Sequence, residues 1–308
     1  MKLSKRVLKN YCAWYLMLLL PLGGTILFNI YPLIVNFFNS FRNNAGDFIG
    51  WVNYGLVFAD EEFLAAIINT LYMGVIGVGL SIPIAFVLAY FLQRVTFAKG
   101  IFKTIFLLPM IMSMVSVAMI FKHIFSADAH SVANYVLEVL GLEPLGWFAK
   151  VGTARETVMI MTLWKGVGFS VILFFAGLQA IPTDLFEAAA IDGADEWNKF
   201  WHITIPCMRN TLIFVYITNS IGAINRFAEV YAVGGEYGYP ANKLITLMLY
   251  VYRKSFSTLF YKDLGMAATA SILMFVIIMV ITGINWKITG ESESLRSPKS
   301  IRKLSKRR

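Results

Sequence analysis

Long apolar runs, separated by short polar stretches, dominate the pattern along the chain. Residues 10–41, 63–93, 104–121 and 264–286 hold no Asp, Glu, Lys or Arg. Two further runs are interrupted only by isolated charges: 157–183 carries Lys165, and 210–235 carries Arg226 and Glu229. A helix needs about 20 apolar residues to cross the hydrocarbon core of a bilayer. The pattern therefore predicts six spanning helices, at 12–35, 66–92, 104–125, 157–180, 210–232 and 264–286. Outer-membrane strands would instead alternate apolar and polar residues over ~10-residue segments. The runs are continuous and longer, so the predicted fold class is all-α: a polytopic membrane protein of about six transmembrane helices.

The segments between the spans have patterns of their own. In 36–65 the acids Asp60, Glu61 and Glu62 stand where negative charge favours the start of the next helix. In 126–155, Val132, Tyr135, Val136, Val139 and Leu140 recur at the period of an amphipathic helix. Gly141 and Pro144 end that pattern, predicting a short helix on the membrane face. The run Gly234-Gly235-Glu236-Tyr237-Gly238-Tyr239-Pro240 reads as turns, and 244–256 as a re-entrant or surface helix. Between the fourth and fifth spans, Asp184 is a plausible N-cap, with Glu187 completing a capping-box-like pair. Leu185–Ile191 forms a short Ala-rich helix, and Gly193 suits the left-handed position that ends it. Asp195 can cap a second helix, with Pro206 at its exit or at a kink. The expectation is a helix–turn–helix outside the bilayer.

Composition excludes the soluble alternatives. The chain of 308 residues is 58% hydrophobic and 15% charged, and its mean hydropathy is +0.66; soluble domains carry about 25% charged residues. The basic start (Lys2, Lys5, Arg6, Lys9) resembles a signal peptide, but its apolar run is too long and lacks an A-x-A-like site. With both termini in the cytoplasm, most of the 27 Lys and Arg residues fall inside. The net charge of +9 then reflects topology and attraction to anionic lipid, and no nucleic-acid partner is implied. The organisation read from the chain is a cytoplasmic N-tail 1–11, a transmembrane domain 12–288 and a basic, disordered tail 289–308. Cys12, Cys207, His123, His130 and His202 are scattered, so neither a disulfide framework nor a metal site is expected.

The loop at 183–206 resembles the EAA loop of ABC importer permeases, E-A-A-x3-G-x9-I-x-L-P. Glu187, Ala188, Ala189, Gly193, Ile203 and Pro206 match it, and Ile205 replaces its Leu. Further stretches resemble the sugar-permease branch, relatives of the maltose permeases. They are Ile30-Tyr31-Pro32-Leu33, Asn69-Thr70, Phe106-Leu107-Leu108-Pro109, Trp164 to Phe169 and Ala176 to Pro182. The chain departs at Val233-Gly234-Gly235-Glu236, where the family often has a Thr-Gly-Gly-Gly-Pro-like turn. The resemblance implies an ATPase-coupling loop of Glu187, Ala188, Ala189, Asp192, Gly193, Ile203 and Pro206. In it Glu187 faces a basic group of the ATPase, Gly193 sets the bend, and the alanines pack at the joint. It also implies a second permease subunit, two ATP-binding subunits and an external solute-binding protein, in the bacterial cell membrane. Alternating access would be driven by ATP and Mg held in the partner ATPase, with no cofactor in this chain.

Charge at bilayer depth costs at least ~2.5–3.5 kcal/mol and usually faces a cavity or a partner. Trp164, Lys165, Asn219, Gly222, Asn225, Arg226 and Glu229 are therefore candidates for the substrate path. The competing readings are that Arg226 and Glu229 form a same-helix structural pair, that Lys165 snorkels, and that Trp164 packs. No Walker A, H-E-x-x-H or G-x-S-x-G motif is present, so no catalytic residue is assigned. The expected function is import of an oligosaccharide or related carbohydrate. The alternatives are import of a glycerol phosphodiester or polyamine, or a membrane scaffold.

Overall fold

The computed structural model describes residues 5–294, and every named element among them is a helix. The described residues form two compact units, one running up to residue 60 and joined by 251–273, and one of 61–250 joined by the stretch from 274 onward.

In the first unit, α1 (Lys5–Thr25) passes through a π-helical turn at Ile26–Ile30 into α2 (Tyr31–Asn39). The stretch Trp14–Asn39 is 26 residues long, and none of them is buried. A short α3 (Val52–Ala59) follows. Asn53 ties this unit together by donating to the carbonyls of Ser40 and Arg42, at 2.9 and 2.8 Å. Thr269 donates to the same Ser40 carbonyl, and Asp60 pairs with Lys254 at 3.1 Å.

The second unit is built on α4 (Glu61–Arg94), which opens with Glu61 and Glu62 in its first turn, as their charge favours. Next come α5 (Lys99–Ile111), α6 (Met114–Ile124), the surface helix α7 (Val132–Val139) and α8 (Ala154–Gln179). The remainder are α9 (Thr183–Ile191), α10 (Glu196–Lys199), α11 (Ile205–Ile224) and α12 (Ala228–Gly234). Two helices run from one unit into the other, α13 (Leu247–Phe256) and α14 (Leu264–Ser294). Ala85, Phe86, Ala89, Val171, Phe174, Leu178, Met208 and Val215 bring α4, α8 and α11 together in one apolar core. Glycine permits the close approach of α5 to α8: a Cβ at Gly168 would collide with the Phe106 carbonyl.

Four described helices are long and apolar enough to span a membrane, or five if one bent pair counts as a span. Several bounds differ from those the sequence predicts. The first span reaches Asn39 and the second begins at Glu61. The predicted helix 104–125 is two helices, α5 and α6, bent by 99°. Ser113 caps the second by accepting from the Ser116 amide at 3.1 Å. The predicted helix 210–232 is likewise interrupted, α11 ending at Ile224 and α12 starting at Ala228. Helix α14 continues to Ser294, so 289–294 is helical rather than disordered; the rest of the predicted tail lies outside the described residues.

Candidate functional site

The loop between α8 and α11 is a hairpin of two helical arms. Pro182, in extended conformation, precedes α9 in place of the expected Asp184 cap; Asp184 lies in the first turn and makes no cap bond. The proline fixes an extended entry and has no amide hydrogen to satisfy. The other end follows the sequence reading. Gly193 has φ +79°, its amide donates to the Ala190 carbonyl at 3.1 Å, and the Ala194 amide reaches Ala189 at 2.9 Å. This pair of bonds is the Schellman ending, which needs a residue at ease in the left-handed region. Asp195 then accepts from the Asn198 amide at 2.7 Å and starts α10. The second arm is only one α-helical turn, which runs through a π-helical turn at Phe200–Thr204 into α11. Pro206 therefore lies in the first turn of α11 and makes no break there.

The hairpin has an inner and an outer face. Phe186, Phe200, Ile203 and Ile205 pack against the core of the second unit. Glu196 bonds Arg94 at the end of α4 at 2.7 Å, and Lys199 at 3.4 Å. Yet α9 contains no buried residue. Glu187, Ala188, Asp192 and Gly193 are exposed, and Ala189, Ile203 and Pro206 are half-buried. Ile191 is 87% exposed and Trp197 67%. The result is an ordered helix presenting a carboxylate, small residues and uncovered apolar side chains.

The second group of candidates divides. A cavity of about 310 Å³ lies between α4, α8, α11 and α12, and Asn219, Gly222, Arg226 and Glu229 all line it. Trp164, Lys165 and Asn225 do not. Lys165 donates to the carbonyls of Met110 and Pro109, at 3.0 and 3.5 Å, and so satisfies groups freed where α5 ends. Trp164 packs on Phe121 with ring centroids 5.4 Å apart. Asn225 bonds back to the Ile221 carbonyl at 3.0 Å. The sequence reading missed Ser81, Thr162 and Phe169 on the cavity wall; Thr162 and Phe169 are seven residues apart, a same-face spacing on a helix.

Arg226 and Glu229 are not the expected same-helix pair. That spacing brings side chains together only along an unbroken helix, and the helix is open between them. The Arg226 Nη1 instead donates to the Thr162 hydroxyl at 2.9 Å. At the break, the Thr246 hydroxyl donates to the Arg226 carbonyl at 2.7 Å. Non-helical backbone at membrane depth is tolerated where protein groups satisfy it or it lines a cavity; both hold here. The segment supplying Thr246 is itself clamped by α4. Asn69 donates to the carbonyls of Asn242 and Ile245, at 2.9 and 3.0 Å. The Thr70 hydroxyl accepts from the Leu247 amide at 2.9 Å.

Residues 63–286 match the family model described as "Binding-protein-dependent transport system inner membrane component". The chain belongs to that family. Among its relatives is the lactose transport system permease protein of Rhizobium radiobacter, 33% identical over 83% of this permease and 86% of the relative. The arabinooligosaccharides transport system permease protein of Bacillus subtilis is 31% identical, over 86% and 84%. The multiple sugar-binding transport system permease protein of Streptococcus mutans is 31% identical, over 94% and 99%. A chain in the crystal structure of a bacterial alginate ABC transporter, solved with an alginate pentasaccharide-bound periplasmic protein, shares the permease fold. Its TM-score is 0.79 at 23% identity, covering 91% of this chain and 95% of that one.

Proposed function

We propose that this permease imports an oligosaccharide or related carbohydrate, and that ATP hydrolysed in partner subunits drives it through the hairpin 183–206. The observation that carries the coupling reading is α9 itself: a helix closed at its C-terminal end by Gly193 that buries none of its residues and leaves Ile191 uncovered. An exposed amphipathic element of this kind suits a cleft on another protein. Glu187 then meets a basic group of the ATPase, Ala188 and Ala189 allow close approach, and Gly193 holds the bend. The carbohydrate reading is supported by the names of the relatives and by the cavity, where hydroxyl, amide and charged groups stand beside the ring of Phe169.

In this account both termini face the cytoplasm, in agreement with the distribution of Lys and Arg. The complex contains a second permease subunit, two ATP-binding subunits with their Mg and ATP, and a solute-binding protein on the outer side. ATP binding draws the coupling hairpins together and opens the path outward; hydrolysis resets it. The test is uptake of a labelled neutral oligosaccharide by Glu187→Ala and Gly193→Pro transporters. Proline cannot adopt the positive φ of position 193. Both variants are expected to insert in the membrane and to lose ATP-driven uptake. Unimpaired uptake in both would overturn the coupling role.

A further inference from the structure

We infer that Arg226 and Glu229 act as a charge-balanced selectivity pair, admitting neutral polyhydroxyl solutes and rejecting both anionic and cationic ones. This inference rests on the proposed reading of the cavity as part of the transport path. Both side chains line the one cavity. Arg226 spends one nitrogen on Thr162, while its Nε is buried without a partner. The break in the fifth span explains how both charges are held there. Arg226 follows the C-terminal end of α11, where the helix dipole favours a cation, and Glu229 sits in the first turn of α12, where it favours an anion. Ends of broken helices are a recurring way of placing charge at transporter binding sites.

The chemistry of this pair selects by charge. A sugar hydroxyl both donates and accepts, so adjacent hydroxyls can accept from Arg226 and donate to Glu229. A carboxylate or phosphate gains from Arg226 but is repelled by Glu229, with no proton to give it. A polyamine meets the reverse. A cavity of this volume is about 8 Å across, where a single charge would attract its opposite by roughly thirtyfold at an effective dielectric constant near 20; the second member of the pair cancels that gain, so a charged solute loses its hydration without compensation while a neutral one bonds to both. The amide of Asn219 adds no charge, since it donates to the Val215 carbonyl at 2.8 Å and to Ser170 at 3.3 Å.

The experiment uses the full chain assembled with its permease and ATPase partners, with Cys12 and Cys207 replaced by Ser. A single thiol is introduced as Gly222→Cys, at a cavity position where an added Cβ meets open space. Its modification by a neutral methanethiosulfonate is timed in the presence of raffinose, a neutral trisaccharide, or trigalacturonate, an acidic one. Raffinose is expected to slow modification, and trigalacturonate to be about tenfold less effective. Adding Glu229→Gln is expected to raise protection by trigalacturonate to near that of raffinose. Equal protection by both sugars with Glu229 present overturns the selectivity pair and leaves the permease reading standing. Absence of protection by either sugar overturns the cavity as path, and the pair with it. Should Glu229→Gln block assembly, the parent Gly222→Cys complex decides through anionic and cationic methanethiosulfonates. Rates within about threefold of each other, relative to a free thiol, support charge balance; a bias beyond tenfold overturns it.

Discussion

Asn69→Ala isolates the clamp that holds the broken span in place. The Asn69 amide serves two carbonyls, those of Asn242 and Ile245, and its oxygen accepts from Arg155 at 3.3 Å. Truncation leaves the Ile245 carbonyl without this partner in a site that water reaches poorly, while the Asn242 carbonyl keeps the Ile245 amide at 3.2 Å. A lost buried hydrogen bond of this kind costs about 1–3 kcal/mol. The one carbonyl left bare sets a loss of about 1–3 kcal/mol, which is roughly five- to 150-fold in a local opening equilibrium. The effect should be confined to the segment that Asn69 holds. The amide of Leu247 bonds Thr70, and that of Leu249 bonds the Thr246 hydroxyl; both report directly on it. Hydrogen exchange of the purified transporter complex should show peptides covering 240–250 losing roughly five- to 150-fold of their protection, while peptides from the α4–α8–α11 core keep theirs. Because Thr246 also holds the Arg226 carbonyl, uptake should fall as well. Protection within threefold of the parent would refute the clamp.

Other elements give separate readouts. Asp195→Ala removes the cap on the Asn198 amide and should cost about 1 kcal/mol locally, seen as roughly fivefold faster exchange at 196–200 with α9 unaffected. Lys165→Met uncovers the Met110 carbonyl and leaves that of Pro109 with only the Met112 amide, at 3.3 Å. It should lower the apparent Tm of the complex by about 2–4 °C per kcal/mol lost, with the choice between neutral and acidic trisaccharides unchanged; a change in that choice would return Lys165 to the path. Gly193→Ala forces a Cβ into the left-handed region at a cost of about 1–2 kcal/mol, and should reduce coupled uptake less than Gly193→Pro does.

Where a single physical term dominates, the sequence was enough. Of the six predicted spans, the apolar runs located four as single helices and a fifth as a bent pair, because burial of backbone in lipid leaves few other structures open; the predicted 210–232 is not among them. Gly193 and Asp195 were legible because ending and starting a helix make local demands that few residues meet. The failures share a cause: they depend on what another element supplies. The bend at 111–114 lies inside a run free of charged residues, and the opening at 225–227 inside one where averaging over a span-length window hides Asn225 and Arg226, so hydropathy passes over both. Pro109 and Ser113 in one case, and the Asn225-Arg226 pair in the other, were the available signals. The destination of Lys165 could not be read along the chain, because its acceptors lie 55 and 56 residues away. The same-helix geometry that competed for Arg226 and Glu229 does not hold, because the i,i+3 rule assumes a continuous helix and α11 ends at Ile224 before α12 starts at Ala228. Asp184 yielded its cap to Pro182 through entry geometry that composition does not encode.

The central claim is that the exposed face of α9 is the contact through which a separate ATPase drives this permease. Photo-crosslinking tests it most directly, with p-benzoylphenylalanine in place of Ile191, the residue left 87% exposed. The account predicts a crosslink from position 191 to the ATP-binding subunit in the assembled complex, strengthened when ATP closes the ATPase pair, and none from Val136 on the surface helix α7. A crosslink to the ATPase from position 136 with none from 191 would contradict it.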